Sequence, residues 1–399
     1  MKARASMAAR TLVMVAATAI AIWLGYACYT LGMERSCLVD DWPKFDFCAA
    51  LMPTDPAQAV AVLRAHIARN PGDSGAYLAL ALLAGKPGSL GGLNEAAVIQ
   101  AARSVAGTQP QLLYIVADRA IQRQDWPQVV DLMVDLVEAR KDGLAAQTLA
   151  RLVGAGVADP ALRDHLKPTS TWLAPTLAQM PAVGAPMIKA MPLIVQALPL
   201  GLVTPDLGLD VIRSLKQGGA WNDAFALWAR LLNRPVDLVY NGGFEEGFVR
   251  DGFDWELRDT APTRAGVLVA QPRMDGHGRV LELEFTGKAI DLPIIQQVTL
   301  FSGVYTFSGQ YSARKLRSAA GLAWTFTCVA TKKEFARSAG LGDTAGQWRS
   351  FSVQLAVPED CGPAIAMRLQ PMASFEAVAG IKGTAMFDNL KLAAAGSPT

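Results

Sequence analysis

The sequence predicts a helical region followed by an antiparallel β-sandwich, both carried behind a membrane-spanning N-terminal helix. Three observations predict it. Thr11 to Met33 is an uncharged run of 23 residues. Beyond Pro53 apolar residues recur at helical spacing, and after Pro235 the spacing changes to a period of two. A chain of 399 residues is also longer than one core usually organises. The boundaries read as 1–35 for a cytoplasmic tip and transmembrane anchor, 36–54 for a short Cys-flanked linker, 55–235 for the helical domain, 236–393 for the sandwich and 394–399 for a tail.

As a helix the first run extends roughly 35 Å, enough to cross a hydrocarbon core of about 30 Å. Lys2, Arg4 and Arg10 precede it and favour a cytoplasmic N-terminus, although Arg35 and Lys44 follow soon after. The apolar run is longer than the core of a cleaved signal peptide. Gly25-Tyr26-Ala27-Cys28 resembles a lipoprotein site, but Gly25 stands where a large aliphatic residue belongs. A single-pass, uncleaved anchor in a bacterial inner membrane, with the bulk of the chain periplasmic, is the expectation.

The helical region opens with Val60, Leu63 and Ile67 on one face. Asn70-Pro71-Gly72-Asp73 breaks it, and Tyr77, Leu80 and Leu83 resume it. GKPGSLGG is a loop. Further helices are expected over Asn94 to Gly107, Gln111 to Gln122, Trp126 to Arg140, Leu144 to Val153 and Ala224 to Leu232. On Pro56, Ala57, Ala59 and Leu63 with Asn70-Pro71, and on QDWPQVVDLM and GAWNDAFALW, the region over 55–155 resembles tetratricopeptide-repeat proteins, with echoes to 235. That resemblance implies an α-solenoid that holds a protein partner; a plain spacer is the alternative. From Pro168 to Pro205 the only charge is Lys189. Pro181, Pro186, Pro192 and Pro199 interrupt any spanning helix there, so buried Pro-bent helices are expected, with a second membrane contact at 186–203 as the alternative.

In the sandwich, Val280 to Phe285 alternates. Tyr305, Phe307 and Tyr311 share a face, as do Trp324, Phe326 and Cys328, and also Phe351, Val353 and Leu355. Ala366, Arg368 and Gln370 alternate with Met367 and Leu369, and GTAMFDNLKL closes the domain. About eight strands separated by Gly-, Pro- and Asp-rich turns fit an antiparallel sandwich. Among the five cysteines, Cys37 and Cys48 flank DDWPKFDF, Cys328 lies within one apparent strand and Cys361 follows another after a Pro358-Glu359-Asp360 turn. Two local disulfides in an exported domain and four buried free thiols are both open to these spacings. A Cys328–Cys361 bridge is worth up to about 4 kcal/mol in the chain-entropy estimate.

The charges, 37 basic against 35 acidic for a net +2, form no nucleic-acid footprint. Catalytic constellations are missing. His66, His165 and His277 have no metal-ligand spacing, no nucleophile elbow is present, AGKPG is not a phosphate loop, and GLGDTAG reads as a hairpin turn. The chain is therefore expected to be non-enzymatic, with a hydrolase of dispersed site as the least favoured alternative.

NGGFEEGF after Asn241, with FDWEL and the terminal AMFDNLKL, resembles the galactose-binding-like jelly rolls that include many carbohydrate-binding modules. The resemblance implies that the stretch from Asn241 is the first strand, lying beside the last strand at Asp388-Asn389, with a structural calcium between them. Carried over, Glu245 and Asp388 give side-chain oxygens and Gly243 a backbone carbonyl. A turn and core cap without metal is the alternative. For a sugar, Trp348, Trp255 and Tyr311 are the candidate contacts. Trp255 shares a face with Phe253 and Leu257, and Trp348 follows the Gly346-Gln347 turn. Together these features resemble proteobacterial envelope proteins. They imply a periplasmic scaffold whose helices hold a protein and whose jelly roll contacts a glycan or envelope component, plausibly in exopolysaccharide assembly or export. A carbohydrate-binding module on a helical spacer is the alternative.

Overall fold

The computed structural model describes residues 56–84, 92–107, 109–249, 251–257, 266–290 and 294–395. The expected anchor at 11–33, Cys37 and Cys48 lie outside the described residues. The described residues fall into two compact units, one running up to 149 with 157–165, the other of 150–156 with the residues from 166 onward.

The first unit holds helices α1 (Pro56–Arg69), α2 (Ser74–Ala84), α3 (Glu95–Ala106), α4 (Pro110–Gln122), α5 (Trp126–Arg140) and α7 (Asp159–Asp164); α6 spans Gly143–Ala155. Local capping sets the boundaries. Asn94 accepts from the amides of Ala96 and Ala97 at the start of α3, and Asp125 accepts from Gln128 N at the start of α5. Ala59, Leu63, Ala76 and Leu80 close a core of small and aliphatic side chains between α1 and α2.

In the second unit the Pro-rich stretch is a series of short helices, as the prolines require. These are α8 (Leu173–Gln179), a 3-10 turn at Met187–Ala190, α9 (Met191–Ala197) and a second 3-10 turn at Leu198–Leu200. Trp172, Leu193 and Ile194 are fully buried. Among the described residues no helix is long and apolar enough to cross a membrane. Then come α10 (Pro205–Gln217), capped by the Thr204 hydroxyl, and α11 (Trp221–Leu232).

These last helices belong with the sandwich. Trp228 meets Tyr240 at 5.2 Å between ring centroids, Phe225 meets Phe253 at 5.2 Å, and Lys216 Nζ donates to the Gly252 carbonyl at 2.7 Å. Burial pushes the Lys216 pKa down, and its ammonium lies over the rings of Trp221 and Phe253.

The sandwich contains two five-stranded antiparallel sheets. One runs β1 (Glu256–Leu257), β6 (Ile294–Thr299), β11 (Ala364–Pro371), β8 (Leu322–Cys328) and β9 (Glu334–Arg337) in spatial order. The other runs β10 (Trp348–Val357), β7 (Gly303–Arg317), β12 (Lys382–Ala394), β5 (Leu281–Thr286) and β2 (Val267–Ala270). A hairpin of β3 (Arg273–Met274) and β4 (Gly278–Arg279) stands apart, and a short helix, α12 (Ser374–Ala379), links β11 to β12. The inward residues of both sheets form one core in which Trp255, Trp324, Phe307, Phe326 and Phe387 are fully buried. Cys328 and Cys361 are joined by a disulfide, a bond that an oxidising, extracytoplasmic compartment maintains.

One expectation is corrected. The stretch from Asn241 to Val249 forms turns, and the first strand begins only at Glu256. Asn241 and Phe244 have φ of 49° and 56°, a left-handed backbone that a strand takes up only at a bulge. The Asn241 side chain brackets the loop, accepting from Glu246 N and donating to Glu246 O. The two ends of the domain nevertheless touch, since Leu390 N donates to the Gly242 carbonyl at 2.8 Å. A side chain at Gly242 would collide with the Leu390 carbonyl oxygen.

Candidate functional site

On the sheet β10-β7-β12-β5-β2, alternation sends Phe307, Tyr311, Phe351 and Leu355 toward the core and leaves the other face polar. The register lays this face out in rows. Ser312 lies between Trp348 and Met386, Gln310 between Ser350 and Asp388, and Ser308 between Ser352 and Lys391. A bulge between Asp388 and Lys391 turns Asn389 out at φ 53° while Leu390 returns to the core. Gly309 makes room for it, because a Cβ there would fall 2.5 Å from Leu390 and 3.1 Å from Phe351.

The outcome is a shallow trough of about 450 Å³ floored by Gly309 and lined by Ser308, Gln310, Ser350, Ser352, Asn389 and Lys391. Among the described residues no protein group engages the side chains of Ser308, Gln310, Ser350, Ser352 or Lys391. The trough therefore presents three hydroxyls, an amide and an ammonium to whatever enters.

An aromatic pair is seated one row away. His277, from the β3–β4 turn, stacks on the half-buried Trp348 with ring centroids 4.1 Å apart and planes at 20°. Its Nδ1 lies 2.9 Å from Asp388 Oδ2, and Asp388 is 2% exposed. Asn389 donates to the same carboxylate through its backbone amide, at 2.6 Å, and its side chain, at 3.0 Å. The buried Asp388 thus fixes both His277 and the bulge.

The residues expected to hold calcium are engaged by protein donors. The Asp388 oxygens are occupied by His277 and Asn389, and Glu245 Oε1 accepts from Arg279 N at 3.1 Å. Gly243 lies in the adjoining turn. Among the described residues no group of three or more His, Cys, Asp or Glu could hold a metal. The domain ends are joined by the Leu390–Gly242 hydrogen bond.

The aromatic candidates separate. Trp255 is fully buried, with its indole N–H donating to the Asn241 carbonyl, and Tyr311 is 8% exposed and packs on Phe351 and Phe387. Both are core, because they sit on inward positions. Trp348 lies on the outer face. The hydroxyls and Gln310 went unnoticed in the sequence, although YTFSGQYS and RSFSVQ already place serine and glutamine at every outward position.

The first helical unit has a second concavity, of about 800 Å³, between α3, α4 and the start of α5. Arg103, Arg119 and Arg123 line it against Glu95, over Ile99 and Val116. Arg119 pairs with Glu95 at 2.9 Å, and Arg123 donates to Gln128.

No family model matches the chain, and no curated protein matches it. Solved structures similar to it include a carbohydrate-binding module, "CBM4 structure and function", at 17% identity over 39% of this chain and 99% of that one, TM-score 0.31. The CBM22-1 xylan-binding domain of Paenibacillus barcinonensis Xyn10C is 17% identical over 39% of this chain and 92% of its own, TM-score 0.28. TmCBM61, solved with β-1,4-galactotriose, is 14% identical over 40% of this chain and 99% of its own, TM-score 0.25.

Proposed function

We propose that the sandwich is a glycan-binding module whose ligand lies along the Ser308–Ser352 trough with a sugar ring against Trp348. The trough supports this reading: its unengaged hydroxyls and amide match a polyhydroxylated chain, and the indole offers an apolar ring face. In the wider reading the chain is a membrane-anchored, non-enzymatic scaffold of the bacterial envelope, in which the sandwich holds a polysaccharide during its assembly or export.

Glycan-array binding by the purified chain tests the module. Trp348→Ala should weaken binding about tenfold, the loss of roughly 1.4 kcal/mol of stacking, and Gln310→Ala with Ser350→Ala should weaken it further. Binding that survives all three changes places the ligand elsewhere.

The arginine-lined concavity favours a second, compatible role for the helices, retention of a protein partner. Arg103→Glu with Arg123→Glu should abolish co-purification of that partner while leaving glycan binding intact.

A further inference from the structure

We infer that one end of the sandwich docks on a bilayer carrying anionic headgroups, through an apolar tip built on α12. Met372, Phe375 and Val378 fall within seven residues and are 38%, 64% and 79% exposed. Phe375 and Val378 stand three apart, on one side of the helical turn. Few soluble surfaces present such a cluster unless it meets something apolar.

The tip is held out firmly. Glu376, 5% exposed, turns inward to accept from the Ser318 hydroxyl at 2.9 Å and the Ala319 amide at 2.6 Å. Ile290 N donates to Ala377 O, Gly287 N to Ile381 O, and Met372 N to Gly321 O. Four tethers on both sides of Phe375 and Val378 keep these side chains from folding back onto the core.

The surrounding charge selects the partner. Arg317 and Lys382 are exposed beside the tip and face one another across the β12–β7 register. Three of the acidic groups nearby are already engaged. Glu376 is buried, Asp343 accepts from Leu316 N beside Lys315, and Glu334 pairs with Arg337. A symmetric contact with a second copy would set these two cations against their own equivalents. An anionic lipid surface supplies the opposite charge together with an apolar interior for Phe375 and Val378.

The full chain carrying Phe375→Trp, reconstituted in phosphatidylcholine vesicles with or without phosphatidylglycerol, tests this. The emission it adds over the parent chain should lose roughly half its intensity to brominated acyl chains when phosphatidylglycerol is present, the depth expected of an interfacial side chain. Val378→Trp should behave alike, and Arg317→Glu with Lys382→Glu should relieve the quenching. Absence of quenching in both tryptophan variants overturns the proposal, as does equal quenching without phosphatidylglycerol. A change that follows protein concentration without vesicles assigns the tip to a second copy and also overturns it. Because no glycan is present, the outcome is independent of the trough.

Discussion

At Asp388 a buried carboxylate is held by a histidine from a distant hairpin and by the amide and side chain of its own neighbour. Removing the imidazole leaves that carboxylate with fewer partners in a place water hardly reaches, so His277→Ala should destabilise the sandwich by about 1–3 kcal/mol. Thermal melting reads this. Glycan binding should fall in the same variant, because Trp348 loses the ring that fixes its rotamer. Chelator should leave the melting unchanged, since Asp388 and Glu245 already face protein donors; a fall in melting temperature would restore calcium. His277 was not legible as part of the site. It lies 111 positions from Asp388, and only the completed sheet brings the two together. Trp348 was legible, because it follows a turn and starts a strand on its outward parity.

Among the elements, the strands were read through their alternation and the turn series at 241–249 was misread through its motif. Glycine and asparagine in NGGFEEGF admit both a strand entry and left-handed turns, and the second prevails because the Asn241 side chain bonds both the amide and the carbonyl of Glu246. The helix α10 was passed over although Thr204-Pro205 marks its start and Val211, Ile212 and Leu215 its buried face. The turn series ends in a cluster with a pH signature. Burial pushes the Glu246 carboxyl up, but hydrogen bonds from Tyr240 and Arg234 outweigh it and hold the group below its ordinary value of 4.5. A folded-state acid depressed in this way contributes stability above pH 4.5 and loses it as pH falls through the lower folded value. Tyr240→Phe should therefore flatten the acid limb of the stability profile, with little effect on melting at pH 2. Solvent screens the pair, so the change is small, and denaturant titration across acidic pH checks it. The disulfide between the ends of β8 and the turn before β11 is the larger contribution. Cys328→Ala with Cys361→Ala should cost about 2–4 kcal/mol in the same titration.

For the whole molecule, the break in periodicity at Pro235 marks where secondary structure changes and not where folding units divide. The compact unit that contains the sandwich also takes in 166–235, and the reason is the aromatic joint between α11 and the loops before β1. Trp228 covers Gly252 so closely that a Cβ there would meet the indole at 2.5 Å, and Phe253 is enclosed by Trp221 and Phe225. Arg213 pairs with Asp251, and Lys216 reaches the Gly252 carbonyl. Local periodicity cannot report such a joint, because it joins a helical face to a loop whose register no alternation describes. A fragment cut at 237 would expose Tyr240 and Phe253 and strand the Gly252 carbonyl, whereas a fragment from 166 keeps them covered. Burying two large aromatic side chains is worth about 3–6 kcal/mol at the usual transfer coefficient, so the longer fragment should show a single, higher melting transition. The shorter should melt earlier and bind a dye for exposed apolar surface. Equal melting of the two fragments would move the boundary back to Pro235 and leave α10 and α11 as a separate helical unit.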